Sequence, residues 1–308
     1  MEFSRPAIEL YLTDLEARLS ERERGIRWAT MRATAEELYR FARYANVLSA
    51  DDFRYLSRRL TRYEFLEKGQ DALKFHALLE TGNTTLKTID RADRLLSEAR
   101  DEPDAERRHR LRNCAAILGL YSVVPLRNAD ADLIVGETLI WQTDTWVIDT
   151  TISKTMSWHP EALVVPLKTD FGRYVDAVVL GDHHSRHLPA LRRKLGAERR
   201  QLFVHYDGSR PSSTYIARMF KESAGTSFTT TRTMLHTDQA TSRGERGTRD
   251  AMAAAHQTSQ KTALKYQAQN VRRVAIARVQ TAASERRATA VDPELSARIS
   301  ALKGTQDE

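Results

Sequence analysis

The chain has a single cysteine, Cys114, in 308 residues. That excludes a disulfide framework and a cysteine-built metal site. No apolar run approaches the ~20 residues needed to cross a bilayer. The N-terminal stretch MEFSRPAIELYLTDLEARLSERERG carries acidic residues early and lacks the basic-then-apolar order of a signal peptide, so a cytoplasmic protein with no membrane partner is expected. A phosphate-cradling glycine loop, a GxSxG turn and an internal repeat are all missing. Lysine is scarce too: of 48 basic residues 10 are lysine and 38 arginine.

What is present is positive charge of one chemical kind. The net charge is +7 and the isoelectric point about 9.5. Arginine grips phosphate with a planar fork where lysine acts as a point charge, so a nucleic-acid partner is one reading of this composition. Charge that only keeps the protein in solution is the other.

The length suits about two domains. Residues 1–104 read as helices throughout. In TAEELYRFARYANVL, Leu38, Phe41, Ala42, Ala45 and Leu48 fall on one helical face. Ser49 or Asp51 is placed to cap the next helix, a third is expected at 71–80, and a fourth at 86–99. Arg40, Arg43, Arg54, Arg58, Arg59 and Arg62 alternate with Tyr39, Tyr44, Tyr55 and Tyr63, as on a phosphate-tracking face or an ordinary solvated one. The charged break DEPDAE at 101–106 marks the expected domain boundary. A second domain, 105–268, opens with a helix at 108–121. Three β-branched and aromatic runs follow, at 139–141, 146–152 and 163–167, and predict a small antiparallel sheet with turns near 143–144 and 157–160. Helices are expected from Phe171 onward, including 230–241 and 246–255. Residues 269–308 form an amphipathic helix and a polar tail. The fold class is mostly α with a small antiparallel β-sheet (α+β).

Chemistry-bearing residues recur along the second domain. Arg127 follows an apolar helix, with Asp130 three residues on, able to hold the arginine in place. Lys154, in ISKTM, lies near the tip of the expected hairpin. Arg232 sits near a helix start beside Thr229, Thr230 and Thr231, whose hydroxyls and helix terminus suit a phosphate. His256 ends a run of small residues, and Tyr266 follows ten residues later. Each has an ordinary structural role available. A histidine pair, His183 and His187, has the spacing of two metal ligands on a helix but no third ligand.

In order and spacing, Arg127–Asp130, Lys154, Arg232, His256 and Tyr266 resemble the boxes of the tyrosine recombinase (phage integrase) family. Thr229 stands where that family has a histidine, and Ala255 where it has a glycine. His236, one helical turn beyond Arg232, is the nearest substitute for the missing imidazole. A threonine donates a hydrogen bond but holds no proton near neutral pH.

The resemblance implies a helical core-binding domain followed by a catalytic domain. It implies a site-specific recombinase or integrase, of the kind carried by mobile genetic elements, that cleaves and rejoins DNA through a 3′-phosphotyrosyl link. Tyr266 would be the nucleophile, Arg127 and Arg232 the phosphate clamp, Lys154 the acid for the leaving oxygen, and His256 a phosphate ligand, with Asp130 and Thr229 in support. Double-stranded DNA, a homo-tetramer on paired sites and an accessory DNA-bending or directionality factor are the implied partners, with no metal or other cofactor. A DNA-binding protein that has lost catalysis, and an enzyme that relaxes DNA with the same tyrosine, are the competing expectations.

Overall fold

The computed structural model describes residues 3–23, 25–70, 75, 78, 80–154, 156–157, 160–264, 266–267, 279–281 and 283. The protein is mostly α-helical with one small antiparallel sheet. It divides into two compact units, Met1–His76 and Ala77–Glu308.

The first unit includes the helices α1 (Arg5–Ser20), α2 (Trp28–Ala45) and α3 (Ala50–Lys68). Ser49 caps α3 as expected, its hydroxyl accepting the N–H of Asp52 at 3.2 Å. The apolar stripe of α2 starts earlier than its sequence suggests. The helix begins at Trp28, so Met31, Ala35 and Ala42 are buried with Leu38 packed beside them. Ala45 and Phe41 turn outward; Phe41 is 52% exposed and meets Phe3 edge-on. The tyrosines of the arginine-rich segment divide: Tyr63 is buried in the core and Tyr44 is almost wholly exposed. Arg40 and Arg54 are paired with Glu36 and Asp51, whereas Arg43, Arg58 and Arg62 lie on the surface. The helix expected at 71–80 falls largely outside the described residues.

The second unit begins before the expected boundary. Helix α4 (Thr85–Asp101) belongs to it, because Ala92, Leu95, Leu96 and Ala99 enter the same core as α5 (Ala105–Val123). The break at 101–106 is therefore a turn between two packed helices, and Asp104 there caps α5 through the N–H of Arg107. Helix α5 runs through the middle of the core, buried from Asn113 to Ser122.

Strands β1 (Leu139–Gln142), β2 (Thr145–Thr150) and β3 (Leu163–Pro166) form an antiparallel sheet in chain order. Leu139 pairs with Ile148, and Ile148 with Val165. The turn at Thr143–Asp144 takes left-handed φ values of 49° and 61°, as a two-residue hairpin turn demands. Helix α6 (Thr169–Leu180) packs on the sheet, and Trp146 donates its indole N–H to Asp176 at 2.8 Å. Helices α7 (Leu188–Ala197) and α8 (Tyr215–Ala224) follow.

Helix α9 (Thr231–Ala254) covers both helices expected in this stretch. Gly244, at φ 60° and ψ −133°, breaks it in the middle. A short helix, α10 (Gln260–Leu264), leads to Tyr266. The amphipathic helix and polar tail expected at 269–308 lie almost wholly outside the described residues. Among the described residues no helix is long and apolar enough to cross a membrane.

Candidate active site

Helix α5 ends at Val123, and a tight turn, with the Leu126 N–H on the Val124 carbonyl at 2.8 Å, delivers Arg127 to the edge of the core. The first turn of α9 lies against this segment. Arg232, the second residue of α9, donates its Nε–H to the carbonyl oxygen of Pro125 at 2.8 Å. A contact spanning 107 residues of chain thus brings the two arginines together.

Arg232 is only 5% exposed. Burial pushes its guanidinium pKa down, and the positive charge of Arg127 pushes the same way. Tyr266, by its charge and by a hydrogen bond to the guanidinium, and then Asp130, act in the opposite sense. Arg232 nevertheless stays charged, as arginine does in proteins. Among the described residues, buried Nη1 of Arg127 and buried Nη2 of Arg232 have no hydrogen-bond partner.

Asp130 does not pair with Arg127. It ends a 3-10 turn, Asn128–Asp130, and its own N–H donates to the Arg127 carbonyl at 2.9 Å. Its Oδ1 accepts the backbone N–H of Ser153 at 3.0 Å. That bond anchors the β2–β3 connection one residue before Lys154, whose side chain is exposed. The arginine turn is pinned again by Tyr121, which donates to the Ala131 carbonyl, and by Asn128, which donates to Ser213 at 2.9 Å.

The threonines before Arg232 differ from expectation. Thr230 and Thr231 are buried, and their hydroxyls donate to the carbonyls of Ser227 and Phe228. Their protons are thus spent within the 3-10 turn Phe228–Thr230, which Ser227 caps, and are not available to a phosphate. Thr229 is exposed, its hydroxyl sharing a hydrogen bond with that of Ser227 at 2.9 Å.

Tyr266 is half-buried, and its N–H donates to Ala263 at 2.9 Å. The next residue, Gln267, donates from Nε2 to Thr248 of α9 at 2.8 Å. The Tyr266 ring stacks on His236 with centroids 5.5 Å apart and planes 23° from parallel. His236 is fully buried. His256 lies just past the end of α9 in a left-handed conformation, φ 49°, with its N–H on Ala253. Arg127, Asp130, Arg232 and Tyr266 thus meet, with His236 behind the tyrosine. Lys154 is held near by its neighbour's backbone bond. The contribution of His236 was weakly marked in the sequence, by its spacing of four from Arg232.

His183 and His187 do not share a helix: His187 closes a 3-10 turn, Ser185–His187, and accepts from Arg186 Nε at 3.2 Å. Among the described residues no group of three histidine, cysteine or acidic side chains could hold a metal ion. Compared with known proteins, the chain matches no family model and no curated protein, so the site is read from its own geometry.

Proposed function

We propose that this chain is a tyrosine-type DNA strand transferase, a site-specific recombinase or integrase. The arginine pair carries the reading. Two guanidinium groups are held together at the edge of a core, each with a buried nitrogen lacking a partner. Such groups cost stability unless a ligand satisfies them, and a phosphodiester offers two non-bridging oxygens with the right charge. Tyr266 acts on the same guanidinium, which favours the phenol as the group that meets a phosphate bound there.

In this reading the Tyr266 oxygen attacks phosphorus while the bond from phosphorus to the 5′-oxygen breaks. The phenol proton passes to solvent, and Lys154 protonates the departing 5′-oxygen. A 3′-phosphotyrosyl link and a 5′-hydroxyl result. Arg127 and Arg232 neutralise the charge that grows on the non-bridging oxygens, and His256 contributes a hydrogen bond to the phosphate. A phenol is a weak nucleophile, and the two cations offset the negative charge that its attack builds on the phosphate oxygens. Attack on the link by a 5′-hydroxyl of another duplex completes strand exchange. The bond energy is kept throughout, so the reaction consumes no nucleoside triphosphate. Duplex DNA in the cytoplasm, a homo-tetramer on paired sites and an accessory bending or directionality factor complete the proposal.

The test is incubation with nicked suicide duplexes drawn from the sequences flanking the gene, followed by a denaturing gel. A DNA-linked band that disappears in Tyr266→Phe supports the reading. A second reading, a DNA-binding protein that has lost catalysis, is favoured by Thr229, which offers no titrating group. Salt-sensitive duplex binding without any adduct would select it. Failure to assemble a tetramer on two sites, with the adduct present, would point to a DNA-relaxing enzyme.

A further inference from the structure

We infer that His236 is a positioning residue for Tyr266, a buried aromatic shelf that sets the phenol over the arginine pair. The inference rests on the reading of Tyr266 as the nucleophile. Arg232 and His236 are four residues apart on α9 and share a face. One supplies a hydrogen bond to Tyr266 and the other a ring against it. The segment carrying Tyr266 follows a helix, α10, of five residues, too short to hold its own shape. Gln267 ties the chain back to α9 at Thr248, next to the residue whose ring His236 meets. A ring 5.5 Å away and 23° from parallel sets the plane of the phenol.

The same geometry argues against His236 as the base that takes the phenol proton. Imidazole lone pairs lie in the plane of the ring. A phenol stacked on the ring face presents its hydroxyl beside that face and not in line with either nitrogen. His236 therefore does not replace the histidine missing at Thr229. It performs a different task, one that another ring of similar size can perform.

Two readouts test this. In protein labelled with 3-fluorotyrosine, the Tyr266 signal among ten tyrosines is assigned by its loss in Tyr266→Phe. In His236→Leu, which keeps an apolar side chain in the buried site, that signal should lose its ring-current displacement. Single-turnover adduct formation on a nicked duplex should fall about ten-fold, with duplex affinity unchanged. His236→Phe should recover most of both. His236→Gln, a second ringless variant, gives the same comparison should the leucine variant not fold.

An unmoved signal and an unchanged rate in the ringless variants overturn the inference. So does a phenylalanine variant that keeps the displaced signal yet reacts as slowly as the leucine one, since nitrogen chemistry would then be at work. If the wild-type protein forms no adduct, strand transfer fails as a reading while the fluorine signal still decides the shelf.

Discussion

The Asp130 carboxylate accepts the Ser153 backbone N–H at 3.0 Å across 23 residues of chain. It thereby couples the turn that carries Arg127 to the connection that carries Lys154. A hydrogen bond to a charged acceptor is worth about 1.5–3 kcal/mol, enough to hold a short connection in one place. Asp130→Ala should slow adduct formation on a nicked duplex about ten-fold, while Asp130→Asn, which keeps the oxygen acceptor, should stay within about three-fold of wild type. Single-turnover rates of the two variants make the comparison. Equal losses in both would mean that the charge facing Arg232 matters more than the bond to Ser153.

Arg127 and Arg232 repel one another, and each keeps a buried nitrogen without a partner among the described residues. An anion bound between them should therefore stabilise the fold by mass action. Inorganic phosphate at about a hundred times its dissociation constant would add about 2.7 kcal/mol. The thermal midpoint in phosphate, compared with chloride of equal ionic strength, should rise in wild type and not in Arg127→Ala or Arg232→Ala. An equal rise in all three proteins would assign the effect to general salting and remove the arginine pair as an anion site.

The class of the fold was legible in the sequence because its signals are local. β-Branched runs mark the three strands, and Ser49 stands before an apolar helix. The two helices expected at 230–241 and 246–255 leave a gap where α9 breaks, at Gly244. The domain boundary was not legible at DEPDAE. A charged, proline-bearing turn looks the same between two packed helices as between two units, and only the burial of Ala92, Leu95 and Ala99 against α5 tells them apart. In the site, residue types and order pointed to Arg127, Arg232 and Tyr266. Long-range contacts were beyond reach: Asp130 reads as a partner for Arg127 at a spacing of three, but it serves Ser153. The threonines before Arg232 read as phosphate donors, yet Thr230 and Thr231 bond to carbonyls of their own turn.

Asp182 gives the fold an acid-sensitive point away from the site. Arg108 donates to both its oxygens, at 2.7 and 2.9 Å, and Arg112 donates at 2.6 Å. The hydrogen bond from Arg108, followed by that from Arg112, holds the carboxyl well below the usual carboxylate range. A carboxyl depressed on folding contributes stability above its unfolded pKa of ~3.9 and loses it as pH falls toward the folded value. The contribution is thus full above about pH 5 and declines below about pH 4. The side chain is 45% exposed, so solvent screens the pair and the effect is modest. In urea titrations, Asp182→Asn should be less stable than wild type at neutral pH, and the gap should narrow as pH falls from about 4 toward about 2. A constant gap across that range would show that Asp182 acts through packing alone.

Gly119 lies in the buried middle of α5, where glycine would ordinarily cost about 0.5–1 kcal/mol against alanine. The ring of Tyr174 on α6 explains its presence. A Cβ at Gly119 would lie 2.4 Å from Cε2 and 2.5 Å from Cδ2 of that ring. Tyr174 cannot retreat easily: it is fully buried and its hydroxyl donates to Asp93 of α4. The helix-propensity gain of Gly119→Ala is then outweighed by overpacking, and the variant should lose about 1–3 kcal/mol in urea unfolding. Tyr174→Leu in the same background removes the ring edge that the new methyl meets. In a double-mutant cycle the two changes should be less costly together than their sum. Strict additivity would show that the glycine is needed for something other than the tyrosine ring.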